Sequence, residues 1–132
     1  MITLGIDYGR KKIGFALSEG QWANPLGIAK VTSTLDTVEK VRQAMVKHSA
    51  RRVVVGISEG KMKDEQKEFA KLLSRKLKVE VRTWDETLTT EDAKSLSLAA
   101  NIPRAKRQKL EDAFAACLML QSYLDHGQEK SP

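Results

Sequence analysis

The sequence predicts an α/β fold: a mixed five-stranded sheet, its first three strands antiparallel, flanked by helices on both faces. Three observations lead there. Apolar runs at residues 2–6 and 13–17 bracket a glycine and three cations, the pattern of a hairpin. The run RVVVGI at 52–57 is apolar and β-branched without alternation, as a strand covered on both faces requires. Around that strand the apolar spacing switches repeatedly between two residues and about 3.6, so strands alternate with helices and pair in parallel through right-handed crossovers.

The first run leads into Asp7, and the turn after it contains Gly9, Arg10, Lys11 and Lys12. Beyond Asn24 and Pro25, residues 26–31 read as a third strand, weakened by Gly27. Leu35, Val38, Val41 and Met45 then share one stripe of an amphipathic helix, with Thr34 or Asp36 placed to cap it. Phe69, Leu72, Leu73 and Leu77 mark a second helix, and residues 79–84 alternate as an outer strand with one wet face. A further helix starts at Thr89 or Thr90 and runs toward Ala100, with Pro103 forbidding simple continuation. The last helix, over 109–124, is expected to bury Leu110, Phe114, Cys117, Leu118 and Leu124, and residues from about 126 to 132 read as a loose tail.

The 132 residues suit one domain, 1–132, large enough to bury a core without metal or disulfide staples. The one cysteine, Cys117, has no partner for an internal disulfide and lies in the apolar stretch AFAACLML, where it acts as a small hydrophobe. No basic leader opens the sequence, and no apolar run approaches the roughly 20 residues of a membrane helix, so a soluble cytoplasmic protein with no membrane partner is expected. Lys and Arg number 23 against 17 acidic residues, a net charge of +6 that favours polyanionic partners.

Acidic residues gather at the ends of elements. Asp7 follows the first strand, Asp85 and Glu86 follow the fifth, and Asp112 opens the final helix within KLEDAFAACLML. Parallel strands present their carboxyl ends at one edge of the sheet, where open α/β folds hold ligands, so Asp7 and Glu86 are expected to meet there. Ala113, Ala115 and Ala116 let the final helix approach closely enough for Asp112 to join them. Converging carboxylates repel one another unless a cation neutralises them, and hard oxygen donors suit Mg²⁺ or Mn²⁺. Two such ions activate water and stabilise the leaving oxygen in phosphodiester cleavage. Each acid also has a plainer reading: Asp7 as a turn former, Asp85 and Glu86 as a solvated pair, Asp112 as a complement to the helix dipole.

The stretches GIDYGRKKIGFALS, VVVGI, WDETLTTEDA and KLEDAFAACLMLQSYL, in that order and spacing, resemble the YqgF/RuvX family, described as Holliday-junction resolvases and as nucleases of ribosomal RNA maturation. The likeness covers about residues 3–124. It implies a ribonuclease H-like fold and metal-dependent phosphodiester hydrolysis, with Asp7, Glu86 and Asp112 as catalytic, metal-holding residues. It departs from the family pattern at Thr87, where arginine is usual after Asp-Glu, and at Ser58 in the loop GISEGKMKDEQ, where proline is usual.

Around such a site Gly9 lets a phosphate approach, while Arg10, Lys11 and Lys12 offer charge to a nucleic-acid backbone, unless they form only a solvated turn. Arg104, Lys106, Arg107 and Lys109 form a second basic cluster, read as a loop between helices that either holds a strand or serves solubility. Trp22 and Trp84 are expected to pack in the core or its rim rather than stack on bases. The reading is thus a nuclease acting on RNA or branched DNA, as a homodimer for paired cuts or a monomer for trimming. Two alternatives stay open: a nucleic-acid-binding factor without catalysis, and an ATP phosphotransferase, since the Asp-x-Gly hairpin also resembles the phosphate loop of actin-like kinases.

Overall fold

Gly9 makes the first turn possible. Its N–H donates to the Lys12 carbonyl (2.9 Å), and a Cβ at this position would sit 2.9 Å from that same oxygen, so no other residue fits unstrained. The turn joins β1 (Thr3–Tyr8) to β2 (Lys12–Ser18) as the expected hairpin. The computed structural model describes residues 1–85 and 113–126 in full, and residues 104–112 and 127 as backbone.

β3 (Ala23–Lys30) pairs antiparallel with β2 and starts three residues earlier than its apolar pattern suggests. Pro25 is tolerated there because β3 is an edge strand, with no further neighbour among the described residues to receive its missing N–H. The register shifts between Phe15 and Ala16, leaving Leu26 as the extra residue of a bulge beside Gly27. β4 (Arg52–Ile57) pairs parallel with β1, and β5 (Glu80–Asp85) pairs parallel with β4. The sheet order is β3-β2-β1-β4-β5, with β4 inside and β5 outermost, as expected.

Helices α1 (Thr34–His48) and α2 (Lys63–Leu77) cover one face. Ser33 caps α1, its Oγ accepting from the Asp36 N–H (3.1 Å), in place of Thr34 or Asp36. Thr37, not Leu35, completes the inward stripe with Val38, Val41 and Met45; Leu35 is 66% exposed. Leu4, Ile6, Ile13, Val53, Val55 and Leu73 meet beneath these helices with no exposed surface, each burial contributing about 1.5–3 kcal/mol.

The third described helix, α3 (Arg104–Ser122), crosses the other face and continues into a π-helical turn, Tyr123–Gly127. It starts five residues before the point that the sequence pattern suggests. Its inward residues are Ala113, Ala116, Cys117, Met119, Leu120 and Tyr123; Phe114, Leu118 and Leu124 are only half-buried, so the expected stripe is rotated toward the larger side chains. Alanines face the sheet because the helix lies close to it. A Cβ on Gly5 of β1 would sit 2.9 Å from the Leu120 Cβ. Tyr123 anchors the far end: its hydroxyl accepts from Arg52 (3.2 Å), and its ring meets Trp84 edge-on at 5.8 Å. Trp84 Nε1 also donates to Ser122 Oγ (3.0 Å), which fits its expected packing role. Trp22, by contrast, is 75% exposed and stands before Ala23, level with Ser18 and the amino end of β1. The expected helix between residues 89 and 100 and the tail from 128 lie outside the described residues; Asp125 and His126 belong to the π-helical turn rather than to a loose end. No helix among the described residues is long and apolar enough to cross a membrane.

Candidate active site

Alternation along β1 decides where Asp7 points. Leu4 and Ile6 belong to the core under α1 and α2, while Gly5 meets Leu120 of α3, so odd-numbered positions of β1 face α3. Asp7 lies on that face, half-buried, one residue before the strand's end. It is paired with Gly14 inside the ladder, two residues ahead of the turn that Gly9 closes, so its place is a sheet face rather than a bend.

Glycine recurs around this carboxylate. Gly14 is its partner on β2 and carries no side chain to crowd it. On β4, alternation from Val54, which packs under α3, puts Gly56 on the same face, opposite Trp84 of β5. Neither glycine contributes a side chain to this part of the sheet face.

The carboxyl ends of β1, β4 and β5 share one edge, as the parallel registers require. Asp85 ends β5 there, and Glu86 follows it in the chain; Glu86 itself lies outside the described residues. Asp112 is described only as backbone, and its position in the helix corrects the sequence reading. It is the ninth residue of α3, not the opening one, so the macrodipole, which acts within the first turn, gives no reason for an acid there. It stands one helical turn before Ala116, which is fully buried in the cluster beneath α3. Among the described residues no three His, Cys, Asp or Glu side chains form a metal cluster; two of the three candidate carboxylates are not among them.

The turn cations separate. Arg10 leans onto α2, its Nε donating to Glu65 (3.4 Å), and so belongs to the opposite face of the sheet from Asp7. Lys12 has the parity of Gly14 and Ala16 and shares the face of Asp7, while Lys11 is exposed in the turn, its carbonyl accepting from Val31 N–H (2.9 Å). The basic cluster Arg104, Lys106, Arg107 and Lys109 occupies the first two turns of α3 rather than a loop; its side chains lie outside the described residues.

Sequence reasoning misses two features of this edge. A cleft of about 720 Å³ opens beside the ends of β4 and β5, lined by Ser58, Lys63, Lys67, Trp84, Asp85 and His126 among others. Gln66 is buried (2% exposed) beneath the same edge, bonded to Ser58 and Tyr8. Its position three residues before Phe69, on the stripe Gln66, Phe69, Ala70 and Leu73, is the signal that places it inward.

The model of the RuvX family, described as Holliday junction resolvase, matches residues 1–126. A protein of Clostridium novyi (strain NT) named as a candidate pre-16S rRNA nuclease is 33% identical over 95% of this chain and 98% of its own length. One of the same name from Syntrophus aciditrophicus (strain SB) is 36% identical over 100% of this chain and 94% of its own. Two solved structures share the fold at 14–16% identity: T. thermophilus RuvC in complex with a Holliday junction (TM-score 0.63, 96% of each chain) and the Fowlpox virus resolvase with Holliday junction DNA (TM-score 0.64, 95% of this chain and 97% of that one). With its five strands in this order, the architecture is the ribonuclease H-like one that the sequence resemblance implies. Both the family match and the curated relatives place this chain in the RuvX family of nucleases.

Proposed function

We propose that this chain is a single-domain, metal-dependent endonuclease that hydrolyses phosphodiester bonds in structured nucleic acid, with precursor ribosomal RNA as its substrate. The observation that carries the reading is Asp7: a carboxylate inside a ladder, on the sheet face under α3, with Gly14 beside it and the ends of three strands around it. The relatives at 33–36% identity, named for pre-16S rRNA, support RNA, while the family description and the far less similar junction-bound structures make the four-way DNA junction the competing substrate.

In this reading Asp7, Glu86 and Asp112 hold Mg²⁺ or Mn²⁺, a fit supported by their hard oxygen donors and by the lack of a side chain on Gly14, the ladder partner of Asp7. Bound there, the cation would lower the pKa of an attacking water and stabilise the leaving oxygen. The chain's own part is to fix those carboxylates on a rigid sheet edge and to hold the nucleic-acid backbone. Lys12 presents charge on the face of Asp7, and Lys11 and the cations of Arg104, Lys106, Arg107 and Lys109 steer the polyanion, while Gly9 closes the turn that carries the lysines and Arg10 is drawn onto Glu65 of α2. Work in the cytoplasm, as a monomer trimming an RNA end or a homodimer making paired cuts, completes the proposal.

The test compares wild type and Asp7→Asn on a precursor 16S rRNA fragment and on a four-way DNA junction, with Mg²⁺ and with Mn²⁺. Loss of a metal-holding carboxylate is expected to lower the cleavage rate about 10³-fold, equivalent to about 4 kcal/mol, with the fold unchanged by circular dichroism. Equal rates from both proteins would reject the role of Asp7. Faster cleavage of the junction than of the RNA would reject the RNA assignment. Salt-sensitive binding of either substrate without cleavage would leave a binding factor.

A further inference from the structure

Gln66 is 2% exposed, one of few buried polar side chains among the described residues, and both ends of its amide are used. Its Oε1 accepts from the Ser58 N–H (2.8 Å) and from the Ser58 hydroxyl (3.1 Å), while its Nε2 donates to the Tyr8 carbonyl (3.2 Å). Ser58 is the first residue after β4, and Tyr8 is the last of β1, directly after Asp7. One side chain of α2 therefore ties together the ends of two neighbouring parallel strands.

The same helix grips Tyr8 a second time. Phe69, one turn on from Gln66, stacks on the Tyr8 ring with centroids 4.1 Å apart and planes 5° from parallel. Tyr8 is thus held through its carbonyl and its ring, and the peptide that follows Asp7 has little freedom. Ser58 in turn begins the loop that lines the cleft, and a proline at that position would have no N–H to donate. In place of proline's fixed φ, this chain pins the loop by two bonds to a buried amide. The ladder between β1 and β4 ends at Ile6 and Val55, so pairing between these two strands does not hold Tyr8 against Ser58.

We propose that Gln66 is a positioning residue for the metal-holding edge, fixing the strand end that carries Asp7 against the loop entered at Ser58. The proposal rests on the nuclease reading for its chemistry and on the three hydrogen bonds for its geometry. Groups that orient metal ligands from behind alter metal affinity about 10–100-fold when removed, without touching the substrate.

The full chain carrying Gln66→Met, which keeps length and apolar volume, and Gln66→Glu, which keeps the acceptor for Ser58 and loses the donor for Tyr8, provides the test. Mn²⁺ is titrated in two ways: by the rise in Tm without nucleic acid, and by the cleavage rate on the RNA fragment. Wild type is expected to gain Tm with Mn²⁺ and Asp7→Asn to gain none. Folded Gln66 variants should need about tenfold more Mn²⁺ for half the gain and show a lower kcat, with the Kd for RNA within about twofold of wild type. Unchanged Mn²⁺ midpoints in a folded variant overturn the proposal, as does a wild type without any Mn²⁺ response. A wild type that responds to Mn²⁺ but cleaves nothing removes the nuclease reading alone, and the Tm titration still decides the role of Gln66. If both variants fail to fold, Ser58→Ala, which deletes only the hydroxyl bond, should raise the midpoint about two- to threefold, and no change there overturns the proposal.

Discussion

The two faces of the sheet are built from different materials. Under α1 and α2 lie Leu4, Ile6, Ile13, Phe15, Val53 and Val55, large side chains interlocked with Val41, Met45, Phe69 and Leu73. Under α3 the strands offer Gly5, Asp7, Gly14, Ala16 and Val54, and the helix answers with Ala113, Ala116 and Cys117 beside the larger Met119 and Leu120. The first face buries area and carries stability. The second brings a helix close to the backbone at Gly5 and sets Asp7 opposite Gly14. A site needing three acids on separate elements benefits from short side chains between them, because fewer rotatable bonds separate the backbone from the reacting centre.

If the faces divide these tasks, damage to the first should be felt as stability alone. Leu73→Ala removes a fully buried side chain beneath α2 and is expected to cost about 2–5 kcal/mol. Urea unfolding would measure it. Cleavage per folded molecule should stay at the wild-type value, and a matching drop in turnover would break the division.

A smaller change on the second face should be felt in both. Gly5→Ala puts a Cβ 2.9 Å from the Leu120 Cβ, with Cδ2 and Cγ at 3.2 and 3.4 Å. Truncating Leu120 to alanine does not relieve the contact, since the crowded atom is the Cβ itself, so the helix must move. The expected cost is about 1–3 kcal/mol. Because α3 also carries Asp112, turnover per folded molecule should fall about tenfold, a fraction of what a 1 Å misplacement can cost. Unfolding curves and single-turnover cleavage on the same sample would separate the two effects. Gly5→Ala with normal turnover would show that the close approach of α3 serves packing only.

The same contrast explains what can be read from the chain. Strand order and the first face follow from periodicity, since Val53, Val55, Phe69 and Leu73 are large and their spacing is plain. The stripe of α3 misleads because hydrophobic size points to Phe114 and Leu118, whereas the residues that face the sheet are Ala113, Ala116, Cys117, Met119 and Leu120, small and large together. The early start of that helix is hidden for a related reason: Arg104, Lys106, Arg107 and Lys109 carry no apolar stripe, so nothing in their spacing marks a turn of helix. Asp7 is legible as a candidate because it follows an apolar run. Its flanking glycines are not, because Gly14 becomes its neighbour only through antiparallel register. Gln66 is masked by its polarity, although its helical phase is that of Phe69 and Leu73.

The smallest effect sharpens the comparison through pH. Cys117 lies on the second face, 7% exposed, its Sγ 3.4 Å from the Ala23 carbonyl oxygen, and burial pushes its thiol up to about 11 from an ordinary 9.0. A pKa raised on folding means that the unfolded chain releases its proton first. The contribution from this thiol is therefore complete below pH 9.0 and is lost as pH rises toward 11. Cys117→Ala removes the titration and leaves a cavity the size of one sulfur, with an expected cost at neutral pH of about 1 kcal/mol. Other groups titrate in the same window, so the quantity to follow is the difference in unfolding free energy between wild type and variant. That difference, wild type minus variant, should fall steadily from pH 9.0 and reverse sign before pH 11, because only the wild type has a buried thiol to ionise. A constant difference across this range would mean that the thiol reaches water in the folded state, and that α3 packs less closely over β3 and β2 than the burial of Ala113 and Ala116 indicates.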